Sequence, residues 1–202
     1  MVDGSRRQQP LVLLTDLEGT PTWVADEPGD AAALLTEVAA ALAQTSPGQL
    51  LRVVACSGPG SYMGVRAGLA AALGVAQARA LPLALVSSLE LVQARVVAGE
   101  GALLAVLDAG RGGTYGQVRR GHGPHPVAAA LLGREQYWPA AWLAAQVAAG
   151  TLGEGRLQPP GPRWLEPVRS LASAWAMVAA AHPGSSDYDR VAAEYPTPVG
   201  DA

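Results

Sequence analysis

Lysine, asparagine, isoleucine and phenylalanine are absent from this 202-residue chain, aromatic residues make up 5% of it, and it holds one cysteine. The four missing residues share A/T-rich codons. A GC-rich coding sequence accounts for them and lowers the weight of any single Ala, Gly, Pro or Arg as a functional signal. Cys56, standing alone, excludes an intrachain disulfide and a multi-cysteine zinc site. With no lysine there is no G-x-x-x-x-G-K-[ST] phosphate loop. No apolar run approaches a membrane span, and Leu11–Leu14 is too short for a signal core; the expectation is a soluble cytoplasmic protein without membrane contact. A net charge of −3 and a pI near 5.6 argue against a broad nucleic-acid footprint.

What is present is a chain that is 50% hydrophobic, enough for one large domain or two lobes of about 100 residues each. Leu11–Leu14 reads as a buried first strand, Asp16–Thr20 as its turn and Pro21–Ala25 as a short second strand. Asp30 caps a helix through Ala43, on which Leu34, Leu35, Val38 and Leu42 recur at helical spacing. Strands at 51–56 and 83–86 flank an Ala-rich helix over 64–80, and Ser87-Ser88-Leu89-Glu90 opens another helix, through Val97. Beyond a boundary at 99–101, strands at 103–107 and 114–118 pair around Asp108–Gly113. Helices are predicted near 140–149 and 167–181, and the tail from Pro183 is expected to be at best partly ordered. The predicted division is therefore 1–100 and 101–202, both halves opening on a strand, an Asp-containing Gly-rich turn and a second strand.

The segment from Ser57 to Arg66 carries the most information. Glycines 58, 60 and 64 with Pro59 form a turn between a strand and a helix, and Ser61 is placed to bond the backbone of its own turn. Such a junction either offers free amides to an anion, with Arg66 close enough to assist, or packs the helix tightly against a sheet. Gly64, Gly68 and Ala72 recur at i, i+4 and i+8, a smooth stripe that either admits a partner helix or is internal. Other chemistry fares poorly. His122, His125 and His182 lack metal-ligand spacing, Cys56 reads as a buried hydrophobe, and Ser61 lacks a nucleophile-elbow context. Asp16 and Asp108 are candidate paired bases or magnesium ligands, against the commoner use of such carboxylates in turns.

Taken in order, Cys56–Arg66 with Gly68-Leu69-Ala70, then Leu81-Pro82-Leu83 and Val86–Glu90, then Leu107–Gly112, resemble the motifs of the TsaB (YeaZ) family. That resemblance implies an α/β, two-lobed actin-like (ribonuclease H-like) fold, each lobe a mixed sheet flanked by helices. It also implies a non-catalytic role in making threonylcarbamoyladenosine in tRNA, as activating partner of the TsaD catalytic subunit. Implied partners are TsaD, the TsaE ATPase and a second copy of the chain, with tRNA reached only through the complex. No catalytic, cofactor or metal residue is expected in the isolated chain, ATP or ADP belonging at a TsaD interface. Gly64, Val65, Gly68, Leu69 and Ala72, with Leu35 and Val38, are the implied association face. Gly58, Pro59, Gly60, Ser61, Arg66, Asp108 and Arg111 are the implied structural motif.

The chain departs from the family in having Tyr62-Met63 for Phe-Thr, Gly113 for Glu, and no Tyr-Leu-Arg tail. Family members carry a strand ending in Asp-Thr-Ser and two more before the first helix. With Asp16–Thr20 taken as the turn after the first strand, the first lobe is expected to be one strand short, with Glu18 where a phosphate would approach. The rival readings are a stand-alone actin-like ATPase or small kinase, a peptidase, or a paralogue that only homodimerises.

Overall fold

The computed structural model describes residues 1–6, 10–25, 29–46, 48–96, 102–110, 113–120, 130–132, 151–153 and 167–193. It divides into two compact units, Met1–Ser88 with Leu171–Glu194, and Leu89–Ser170 with Tyr195–Ala202.

The first unit is built on five strands, β1 (Val2–Asp3), β2 (Leu11–Thr15), β3 (Pro21–Ala25), β4 (Val53–Gly58) and β5 (Leu83–Ser87), in the order β3-β2-β1-β4-β5. β2 runs antiparallel to β1 and β3, while β4 is parallel to β1 and β5. Helices α1 (Ala31–Ala43) and α2 (Tyr62–Arg79) cover one face, where Val12, Val53, Ala55 and Leu83 meet Leu34, Val38, Val65 and Leu69. The alternate residues Leu11, Leu13, Val54, Cys56 and Val86 are equally buried on the other face. Helix α4 (Leu171–Ala181) packs there, with Trp175 inaccessible and its indole Nε1 donating to Asp3. Burial on both faces is why Leu11–Leu14 and Val53–Cys56 read as continuous apolar runs without alternation.

Three expectations need correction. The first lobe is not short of a strand: β1 precedes the strand read as the first, so three strands come before α1. At two residues, β1 is too short to carry a periodic signal. Asp16–Thr20 is therefore the β2–β3 hairpin turn, in which Asp16 Oδ1 accepts the Thr20 amide at 2.7 Å, and Glu18 is exposed there, away from the end of β1. The lobe limits of 1–100 and 101–202 also shift. The first unit closes at Ser88 and regains Leu171–Glu194, because α4 buries Trp175 against its sheet. Nor is the segment after Pro183 loose as far as Ala193. Ser185 bridges Leu83, and the Tyr188 hydroxyl donates to the carbonyls of Leu81 (2.7 Å) and Ala76 (3.3 Å).

In the second unit β6 (Ala102–Gly110) and β7 (Gly113–Arg120) form an antiparallel hairpin, flanked by β8 (Ala130–Leu132) and β9 (Thr151–Gly153) in the order β8-β7-β6-β9. Helix α3 (Ser88–Ala94) places Leu89 and Val92 against Ala105. It stops earlier than the expected Val97, where the Arg169 guanidinium donates to the carbonyls of Ala94 (3.1 Å) and Val96 (2.8 Å). The helix expected near 140–149 lies outside the described residues.

Candidate functional site

The end of β1, the Gly-Pro-Gly-Ser junction and the first turns of α1 and α2 converge in the first unit. β4 ends at Gly58, whose φ of +98° lies in the region open to glycine, and the Gly58–Pro59 peptide is cis. The Ser88 hydroxyl donates to the Pro59 carbonyl. Ser61 caps α2, its Oγ accepting the Gly64 amide at 3.4 Å.

The junction is occupied by the protein's own backbone. The Ser61 amide donates to the Ser5 carbonyl at 2.7 Å, so this amide is not free for an anion. A Cβ on Gly60 would overlap the Ser5 carbonyl, and a Cβ on Gly64 would overlap that of Gly4. One on Gly68 would lie 3.2 Å from the Gly4 nitrogen. The smooth stripe of α2 therefore receives the Asp3-Gly4-Ser5 segment. Asp3 is buried, its Oδ1 accepting the Ser5 amide (2.8 Å) and Ser5 hydroxyl (2.7 Å), its Oδ2 accepting Trp175 Nε1 (3.4 Å). Beside it, burial first and then the Asp3 charge push the Cys56 thiol well above its ordinary value.

A cavity of about 470 Å³ opens at the two helix N-termini, with Gly4, Arg6, Asp30, Leu34, Ser61 and Met63 in its wall. Asp30 caps α1, and the amides of Ala33 and Ala32 hold its carboxyl below the usual range. An anionic ligand would meet that carboxylate as well as Arg6. Together with the closed Ser61 amide and the engaged Asp3, this makes a poor fit to nucleotide phosphates. Among the described residues no group of three or more His, Cys, Asp or Glu is placed to hold a metal, and no helix is long and apolar enough to cross a membrane.

The association residues named from the sequence fall into two sets. Val38, Val65, Gly68, Leu69 and Ala72 are buried inside the unit, so they cannot form an accessible face of the single chain. Gly64 is half-buried against Gly4, while Leu35 is 53% exposed. The outer surface of α2 carries Met63 (66% exposed), Arg66 stacked on Tyr62 at 4.1 Å, Ala70 and Gly74. In the hairpin of the second unit Asp108 pairs in register with Thr114, and Arg111 lies outside the described residues. Sequence reasoning missed Asp3-Gly4-Ser5; a Gly between Asp and Ser directly after Val2 was the available signal.

The architecture and this site define an actin-like α/β protein whose first unit locks its N-terminal strand against a glycine-striped helix. Residues 21–122, half of the chain, match the family model described as TsaD, tRNA N6-adenosine threonylcarbamoyltransferase. A 70-residue stretch is 39% identical to the tRNA threonylcarbamoyladenosine biosynthesis protein TsaB of Bacillus subtilis (strain 168), covering 35% of this chain and 31% of that protein. Two solved structures share the fold at a TM-score of 0.68: YeaZ from Pseudomonas aeruginosa (21% identity) and a protein described as similar to peptidase YeaZ from Pseudomonas aeruginosa (22%). Each superposition covers 96% of this chain and 96–97% of the other. The chain belongs to the family described as TsaD, tRNA N6-adenosine threonylcarbamoyltransferase, and within it is similar to TsaB. It spans about a third of the length of the curated relative it matches.

Proposed function

We propose that this chain takes part in tRNA N6-threonylcarbamoyladenosine biosynthesis as a non-catalytic, cytoplasmic partner that docks on a TsaD-type catalytic subunit. The observation that carries this reading is the match of residues 21–122 to the threonylcarbamoyltransferase family. The closed Gly-Pro-Gly-Ser junction supports a partner over a stand-alone ATPase or kinase, because the Ser61 amide and the Asp3 carboxylate that would face a phosphate and its metal are already bonded internally. The docking surface is the exposed side of α1 and α2, centred on Leu35 and Met63 with Ala70 and Gly74. The buried stripe beneath it sets the angle and spacing of those helices. Contact with TsaE, a homodimer of the free chain, and nucleotide at the TsaD interface belong to the same reading.

The test is co-elution with the TsaD-type subunit of the same genome, together with threonylcarbamoyl transfer to tRNA by the pair. Leu35→Arg and Met63→Glu place charge on exposed positions, so each is expected to weaken co-elution at least tenfold and leave the melting temperature within about 2 °C of the parent. Gly68→Arg would test folding instead, because that position is buried. Full co-elution of both surface variants would refute the docking face. Failure of the unaltered chain to stimulate transfer would refute the partner role.

A further inference from the structure

One stretch of the chain is charged in one sense only. Residues 8–51 contain six carboxylates, Asp16, Glu18, Asp26, Glu27, Asp30 and Glu37, and no Lys, Arg or His, although the whole chain is only −3. The stretch builds β2, β3 and α1, which lie together in the first unit, Val12, Leu14 and Trp23 sharing one core with Leu34 and Val38. Asp16, Glu18 and Asp30 are exposed and Glu37 is half-buried. Among the described residues none of these four makes an ion pair. The side chains of Asp16 and Asp30 accept only from amides of their own turns, Thr20 at 2.7 Å, and Ala32 and Ala33 at 2.9 and 3.0 Å. Their charge stays uncompensated.

The outer side of α1 is unusual in a second way. Leu34, Val38 and Ala41 are buried beneath the helix, so its outer row is Ala32, Thr36, Ala39 and Ala43, all exposed. Leu35, 53% exposed, stands at one border of that row and Glu37 at the other. A surface helix ordinarily carries charged residues along its outer row, and α1 carries none there. An uncharged helical strip set among unpaired carboxylates is complementary to a surface that is apolar at its centre and basic around it.

We propose that the α1 side selects its partner by charge: it takes an apolar patch rimmed by Arg or Lys on the TsaD-type subunit, and it disfavours a second copy of this chain. This selectivity rests on the docking reading and adds the chemistry of the surface that meets α1. A second copy presented through the same side brings the same carboxylates against their equivalents, and like charges set face to face oppose association. The sign keeps the phosphates of tRNA off this side as well. Salt separates the two associations. Screening weakens the attraction to a basic partner and relieves the repulsion between copies, so the two move in opposite directions.

The test measures both associations of the 202-residue chain at about 0.1 M and about 1 M KCl, between which the Debye length falls from about 10 Å to about 3 Å. The dissociation constant for the TsaD-type subunit, by isothermal titration calorimetry, is expected to rise at least about tenfold with salt. Self-association, by sedimentation equilibrium, is expected to tighten over the same range. Glu18→Gln combined with Glu37→Gln removes two charges that have no ion pair and keeps the side-chain shape. At the lower salt this variant is expected to bind the subunit about fivefold more weakly and itself more tightly, with the parent's melting temperature. Because it is compared with the parent in the same salt, it separates charge from any general effect of salt. A subunit affinity independent of salt, self-association that fails to tighten, or a variant with the parent's constants would overturn the charge selectivity and leave the docking face standing. No binding of the subunit at either salt would overturn the docking reading and the selectivity together.

Discussion

The same substitution, Gly to Ala, is expected to act in opposite directions at two positions of α2. At Gly64 the new Cβ would overlap the Gly4 carbonyl. That carbonyl cannot swing aside cheaply, because the next residue is pinned twice: the Ser5 carbonyl accepts from Ser61 at 2.7 Å and the Ser5 hydroxyl donates to Asp3 at 2.7 Å. Overpacking of this kind costs about 1–3 kcal/mol, and contact with pinned backbone puts Gly64→Ala at the upper end. The gain in helix propensity returns about 0.5–1 kcal/mol. The net loss is about 2 kcal/mol, or a fall in melting temperature of about 4–8 °C for a chain of this size. At Gly74 a Cβ meets nothing within 4 Å, so Gly74→Ala retains the propensity gain alone, about 0.5–1 kcal/mol. Urea titrations followed by circular dichroism, with thermal melts beside them, measure both variants against the parent. A Gly64→Ala protein as stable as the parent would refute the reasoning, since it would mean that α2 does not carry the Gly4 backbone in its stripe.

The Cys56 thiol, raised by burial and the nearby Asp3, is expected to stay unmodified by Ellman's reagent at pH 8 in the native chain and to react fully in urea; native labelling at the rate of a free thiol would contradict the buried placement. Replacing Trp175 with Phe leaves the second Asp3 oxygen without its indole donor and is expected to cost about 1–3 kcal/mol. Trp175→Ala adds a large cavity and is expected to cost about 3–5 kcal/mol, both read from urea midpoints. Because its folded-state pKa is depressed, Asp30 stabilises the folded chain at neutral pH, and its contribution is lost as pH falls below the ordinary value of 3.8. Asp30→Ala is therefore expected to be less stable than the parent at pH 7, with a gap that closes in acid; a gap independent of pH would count against the capping contact.

Much of this protein was legible in its sequence. The apolar runs at Leu11–Leu14, Val53–Cys56 and Leu83–Val86 are strands, and of Leu34, Leu35, Val38 and Leu42 on α1 all but the exposed Leu35 face the core, because both patterns report burial within a few neighbouring residues. The motifs from Cys56 to Gly112 were enough to indicate the family. Tertiary structure decided what composition and spacing could not. β1 is too short to show a period and exists as a strand because β2 and β4 supply its hydrogen bonds from distant residues, Leu11 and Val12 on β2 and Ala55 on β4. The choice between an open and an internal glycine stripe also rested on a distant segment, since Gly4 and Gly64 are brought together only by the folded chain. Local pattern determines which face of an element is apolar; only packing between elements far apart in sequence determines what covers that face.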